Sequence, residues 1–288
     1  VPSDTPFQAI GTQLCHPSHY NLAELHERHR KERIRRTYAV SFTSADIALL
    51  LFGALLGGFT NGLTGFGTAL TAVPVWIQIM SPPMAGALGA AAGVTGQIQT
   101  MHHIWHAIDW RRAATFIVPG LIGVPVGTLL LPMIDIRQFK LGVGAVLVVY
   151  CGFQLLSAKL ARTGVSTSGG RLADMAVGFG GGVMSGLAGL SGPLPIIWAT
   201  FKPWSRDEKR ALFQTFNFTI LLTTVISSAI AGLLPRAFWI SLLLCVPATF
   251  VGVHLGTLAY RRLDDRRFDR VVISLLLAVG VSLIVTNI

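Results

Sequence analysis

The chain has 288 residues, of which 12% are charged and 52% hydrophobic, with 23 Lys and Arg against 13 Asp and Glu. A soluble domain carries about 25% charged residues, so the composition excludes an ordinary soluble fold. The net charge of +10 does not point to nucleic acid, because no basic helix interleaves with stacking aromatics. The basic residues instead fill loops and one tail, as membrane topology demands. Cys15, Cys151 and Cys245 are odd in number and widely spaced, and imply neither a disulfide framework nor a metal site.

Residues 1–41 form a polar tail with RHRKERIRR at 28–36. No apolar core follows within signal-peptide length, so no cleaved signal is expected. The tail reads as a basic helix or a solvated segment beside the first crossing, with lipid headgroups as the alternative partner. From residue 47 to residue 108 there is then no Asp, Glu, Lys or Arg, and further charge-free runs cover 113–134, 141–158, 175–201, 211–235, 237–260 and 271–288. A membrane crossing needs about 20 mostly apolar residues. The expected fold class is an all-α polytopic membrane protein of the cell's inner membrane.

The chain repeats itself. Gly58, Gly62, Leu63 and Gly65 match Gly182, Gly186, Leu187 and Gly189 at a shift of 124. Gly123, Gly127, Thr128, Asp135, Arg137 and Phe139 match Gly252, Gly256, Thr257, Asp264, Arg266 and Phe268 at a shift of 129. Two halves are therefore expected, 42–158 and 172–288, joined by a polar linker at 159–171. Each opens on a pair of short helices broken by glycine, 45–60 with 67–80 and 173–185 with 191–201. Pro82, Pro83 and Pro203 end these pairs. Three longer helices follow in each half, at 84–104, 113–133 and 139–158, and at 209–231, 237–260 and 268–287.

Charge decides between parallel and inverted halves. If each broken pair counts as two crossings or as a returning hairpin, loops 102–112, 158–171, 201–210 and 260–270 share one side and hold 14 Lys and Arg. The opposite loops hold only Arg137, Lys140 and Arg236. The positive-inside rule prefers this asymmetry, so two inverted repeats of about five helices are expected, with the basic loops cytoplasmic. The six basic residues of the tail then lie on the other side, against the rule.

Inverted repeats with discontinuous helices are an architecture of secondary transporters, with substrate near the bilayer midplane where the halves meet. Unwound backbone is tolerated there because it lines a polar cavity. A helix start presents free N–H groups and the positive end of a dipole, which suits an anion. The candidate substrate-binding set is Thr60, Asn61, Gly62, Thr64, Gly65, Phe66, Gly67 and Thr68 in the first break. In the second it is Ser185, Gly186, Leu187, Ala188, Gly189, Leu190, Ser191 and Gly192. Gln97, Gln99, Gln214 and Asn217 on the following helices complete it. Glycines spaced GxxxG also serve simply to bring helices close, and Gly123/Gly127 and Gly252/Gly256 are read that way.

GGFTNGLTGFGTALTAVPV, the second GGGVMSGLAGLSGPLPI and the twin G-x-x-x-G-T…R-x-F segments together resemble the TauE/SafE sulfite-exporter family over about residues 45–288. Ile108-Asp109-Trp110-Arg111 resembles that family's helix opening. Thr68 stands where a third glycine is common, and Pro235 replaces the Asp in the second half. The resemblance implies a proton- or gradient-linked carrier of small sulfur-containing anions such as sulfite, thiosulfate or sulfonates, working by alternating access with no cofactor. Membrane lipids and a coupling proton are the expected partners, and nothing in the sequence sets the oligomeric state.

Two other readings stand beside it. GLSG at 189–192 also resembles the G-x-S-G segment of rhomboid proteases, and His254 would supply the base of a Ser191–His254 dyad. A channel-like anion uniporter is the third, since membrane carboxylates are nearly absent. His102, His106 and Asp109 share a helical face with the spacing of metal ligands, with an interfacial or proton-sensing role as the alternative.

Overall fold

The computed structural model describes residues 43–101, 108–160, 170–262 and 265–285. The basic tail, most of the linker, and His102, His103 and His106 lie outside these residues. All described secondary structure is helical: α1 (Ser44–Thr64), α2 (Thr68–Trp76), α3 (Pro82–Met101), α4 (Trp110–Leu130) with a 3₁₀ turn at Leu131–Met133, and α5 (Ile136–Leu160). The order then recurs as α6 (Arg171–Ala188), α7 (Pro193–Thr200), α8 (Arg206–Ile230), α9 (Arg236–Arg262) and α10 (Asp265–Val285).

Local chemistry sets several boundaries. Thr43 and Asp46 form a capping box at the start of α1, and Ser205 and Glu208 form another at the start of α8, each satisfying orphan N–H groups. α1 and α6 both end on a left-handed glycine, Gly65 with φ +79° and Gly189 with φ +70°. Their N–H groups bond the carbonyls of Asn61 and Ser185, each at 2.7 Å. Both helices run further than expected, past Gly58/Gly62 and Gly182/Gly186 rather than breaking at 60 and 185. Pro82 and Pro83 begin α3 instead of ending the preceding pair, because a first-turn proline loses no hydrogen bond.

The glycine repeats explain the longer helices. A Cβ on Gly58 or Gly62 would collide with the carbonyls of Thr249 and Val253, and one on Gly252 or Gly256 with those of Leu55 and Phe59. α1 and α9 therefore cross backbone to backbone. In the same manner Gly182 and Gly186 press on the carbonyls of Gly120 and Val124, while Gly123 and Gly127 press on those of Phe179 and Val183. Small residues let the main chains approach closely enough for dispersion to offset the weak helix propensity of glycine.

Each broken pair is a hairpin. Trp76 Nε1 at the end of α2 donates to the Leu50 carbonyl near the start of α1 at 3.1 Å. Trp198 Nε1 on α7 donates to Asp174 Oδ1 in the first turn of α6 at 2.6 Å. The packing is reciprocal: α1 lies against α9 and α6 against α4, while α3 meets α8 and α5 meets α10. At one end Arg112 Nη1 meets Glu208 Oε1 at 2.8 Å and Lys202 Nζ meets Asp174 Oδ1 at 3.0 Å. Arg112 and Lys202 also lie 4.8 and 4.9 Å over the rings of Trp204 and Trp198. The starts of α4, α6 and α8 and the end of α7 thus gather in one place.

The surface is inside out relative to a soluble protein. Leu129, Ile230 and Leu243 are 70%, 83% and 75% exposed, whereas Gln97, Gln214 and Asn217 are buried. Among the described residues, five helices (α1, α4 with its 3₁₀ turn, α5, α8 and α9) are long and apolar enough to cross a bilayer. The chain is a multi-pass membrane protein.

Candidate functional site

The two breaks meet. Phe66 of the first lies against Gly192 of the second, with Cδ2 3.4 Å from where a Cβ on Gly192 would stand. Between them is a small cavity lined by Asn61, Phe66, Gly67, Thr68, Gln97, Gly189, Leu190, Ser191, Gly192 and Asn217. All ten belong to the expected set, and the helix positions Ala69, Leu70, Pro193 and Leu221 complete the wall. At the shift of 124 that relates the breaks, Phe66 to Ala69 correspond to Leu190 to Pro193 and Gln97 to Leu221. The cavity therefore sits where the halves exchange. The space open to the centre of a water molecule is about 20 Å³, enough for one or two waters, so the walls lie close together.

The remaining expected residues stand behind or beside this wall. Thr64 ties the first turn together, its hydroxyl donating to the Phe66 carbonyl at 2.7 Å. Thr60 donates to the Leu56 carbonyl at 3.0 Å within α1. Gly65 presents its carbonyl to Gln97 Nε2, which donates to it at 2.9 Å. Gln214 Nε2 donates to Thr100 Oγ1 at 3.4 Å and lies beside Gly65. Ser185 shares a 2.7 Å hydrogen bond with Thr224. Gly62 and Gly186 are placed at the helix crossings, Leu187 and Ala188 face a separate apolar cleft with α5, and Gln99 is half-buried away from the cavity.

The polar groups are unequal in kind. Gly67, φ +91°, precedes α2 and has no side chain with which to cap it. Thr68, Ala69 and Leu70, whose N–H groups open α2, line the cavity wall. The second break offers less: Pro193 and Pro195 have no N–H, so only Leu194 contributes a donor in the first turn of α7. The prolines of α7 make the first break the stronger donor. Asn61 Nδ2 donates to Thr68 Oγ1 at 2.8 Å, which leaves the Thr68 hydrogen to point elsewhere. Ser191 Oγ donates to Asn217 Oδ1 at 2.6 Å.

Three residues outside the expected set support the wall: Thr100, Thr224 and Arg210. Arg210 Nε lies 3.7 Å from where a Cβ on Gly65 would stand. A basic residue in the second turn of a helix gives no sequence sign of such a neighbour. The shift of 124, which pairs Arg210 with Gly86 and Gln214 with Ala90, marks both as departures from the repeat.

The protease dyad is not assembled. Ser191 is buried with its proton committed to Asn217, whereas His254 is an exposed residue of α9. Among the described residues no group of three or more His, Cys, Asp or Glu is arranged to hold a metal. Asp109 caps α4, accepting from the Arg112 N–H at 3.1 Å.

Comparison with known proteins gives the family. Residues 49–283 match the family described as Sulfite exporter TauE/SafE. The chain is 30% identical to the "Probable sulfite/organosulfonate exporter TauE" of Cupriavidus necator over 257 residues, 83% of this chain and 95% of that protein. It is 37% identical to a "Probable membrane transporter protein" of Xylella fastidiosa over 81 residues, 27% of this chain and 31% of that one. No solved structure gives a significant match. The glycine-broken hairpins, the membrane surface and the family match have one common conclusion: the chain belongs to the TauE/SafE sulfite-exporter family of membrane transporters, and is not an enzyme.

Proposed function

We infer that the protein is a secondary carrier, working as an exporter in the inner membrane, of small sulfur-containing anions such as sulfite, thiosulfate or organosulfonates. The observation that carries this reading is the convergence of both breaks on one cavity, with the start of α2 and the Thr68 hydroxyl as donors and no carboxylate in its wall. The Cupriavidus necator relative is named for sulfite and organosulfonate export, which is the same class of ligand. The narrowness of the cavity supports a carrier that occludes its substrate over an open channel.

Alternating access would use two inverted repeats, 42–158 and 172–288, with 159–171 as linker and the tail 1–41 outside both. The Arg112–Glu208 and Lys202–Asp174 contacts support inversion. They join the fourth helix of one half to the third of the other, and return α7 to the end where α6 began. Parallel halves would put Arg112 and Glu208 on opposite faces of the bilayer. Lipid contacts surround the exposed apolar belt, and a proton is the proposed coupling ion.

Purified protein in liposomes tests this directly. Sulfite, thiosulfate and a simple sulfonate should exchange across the membrane, sulfite faster with an imposed pH gradient, while organic cations should not move. Transport of cations alone would overturn the reading.

A further inference from the structure

Gln97 is 1% exposed and lines the cavity. A backbone carbonyl can only accept a hydrogen bond, so the contact with Gly65 fixes which end of the amide faces which way. Nε2 must point at Gly65 and Oε1 must point away from it. That Oε1 has no hydrogen-bond partner among the described residues, and neither has Oδ1 of Asn61, which is also 1% exposed and also lines the cavity. An unpaired buried acceptor is costly. The residues that carry these two acceptors and the residues that open α2 line the same small cavity.

We propose that the site selects an anion that itself carries a hydrogen-bond donor, so that sulfite is bound as the monoanion hydrogensulfite, with Gln97 Oε1 accepting from its O–H. This rests on the anion-carrier reading and narrows it: within the sulfur anions, hydrogensulfite is preferred over thiosulfate, a dianion at neutral pH, and over sulfonates that carry no donor. The negative oxygens face the N–H groups of Thr68, Ala69 and Leu70 and the Thr68 hydroxyl. The acid proton faces Gln97. A fully deprotonated dianion would bring a second negative charge and leave the amide oxygens facing only lone pairs. In consequence the proton crosses the membrane on the substrate, and the wall needs no titratable residue of its own.

The protein's charges stand back from this point. Among the residues whose side chains are described, those on the elements packed against α3 are Asp46 in the first turn of α1, Arg171 and Asp174 at the start of α6, Glu208, Lys209 and Arg210 on α8, and Arg236 and His254 on α9. α2 has none, and none of these lines the cavity. Arg210 is the one beside the break, behind Gly65.

Three ligands of similar shape separate the possibilities: sulfite, methanesulfonate and amidosulfonate (sulfamate). Sulfite loses its remaining proton near neutral pH, methanesulfonate is a monoanion without a donor, and sulfamate is a monoanion with N–H donors. Binding is read as ligand-induced thermal stabilisation of the full chain across that pH range. Affinity for total sulfite should fall about tenfold per pH unit above the sulfite titration, because only the competent fraction binds. Sulfamate and methanesulfonate should show no such fall, which separates ligand titration from titration of His254 or any other protein group. Sulfamate should bind roughly tenfold tighter than methanesulfonate, and Gln97→Met should erase that difference. The wild-type series stands even where the variant fails to fold. Sulfite binding that is flat or rises with pH, or equal binding of sulfamate and methanesulfonate, overturns the proposal and leaves the anion carrier intact. Binding of none of the three removes both.

Discussion

Gly65 and Gly189 hold equivalent positions in the repeat but have different neighbours, and their substitution should differ accordingly. An L-residue in the left-handed region costs about 1–2 kcal/mol at either. A Cβ on Gly65 would stand 2.7 Å from Gln214 Nε2, the movable end of a side chain, whereas one on Gly189 would stand 2.6 Å from the Gly86 carbonyl of α3. Gly65→Ala should keep most of its folded yield and lose ligand-induced stabilisation. Gly189→Ala should lose yield as well, a contrast that size-exclusion profiles and thermal shift will show side by side. Ser191→Ala leaves Asn217 Oδ1 without the 2.6 Å bond it accepts, a penalty of about 1–3 kcal/mol. Transport by that variant should weaken in apparent affinity yet continue; complete loss with intact binding would revive a nucleophilic role. The left-handed glycines were legible because GLTGFG and GLAGLSG stand at repeat-related positions. Which glycine lines the cavity and which packs a helix was not: Gly62 and Gly67 look alike in sequence, and only the position of α9 separates them.

Between elements, the contact of Asp174 with Lys202 and Trp198 closes the second hairpin. The side chains of Lys202 and Asp174 are 8% and 16% exposed, so neither charge is well hydrated. Removing one partner of a buried pair costs about 3–5 kcal/mol, while replacing both can be nearly neutral. Lys202→Met should therefore lower the melting temperature and the folded yield markedly, and Asp174→Asn with Lys202→Met should recover most of the loss. A double variant as unstable as the single one would show that the hairpin closes by other means. Helix number and order were readable from charge-free runs, and the errors lay at the glycine-rich ends. A run of glycine reads as a break until the facing backbone that rewards it is known. Proline at 82–83 reads as a stop or a start with equal ease, and here the chain direction made it a start.

At the scale of the whole molecule, the gathered ends of α4, α6 and α8 and the opposite turn before α9 should face different compartments. In a chain whose three cysteines are replaced, a cysteine at Gly170 should be shielded from an impermeant thiol reagent in intact cells. One at Pro235 should label readily. Labelling of both from outside would contradict the inverted arrangement; exchange of the two results would keep the repeats and reverse the orientation. The duplicated motifs were legible because they retain their spacing. The crossing of the halves was not, since a repeat in sequence does not state that its first helix will pack on its sibling's fourth.

That crossing governs how the molecule must be made. α6 finds α4 already synthesised, so the second clasp can close while the ribosome is still at work. α1, which ends at Thr64, waits for α9, which begins at Arg236. Until α9 is made, the glycine stripe of α1 lacks the Val253 backbone against which it packs in the folded chain. A polypeptide stopped in the Gly232–Pro235 turn should be degraded, and residues 236–288 supplied as a separate chain should rescue it, as pulse-chase turnover would reveal. Substitutions at Gly252 or Gly256 should accordingly behave as lesions of biogenesis, depleting the protein before it ever meets a substrate.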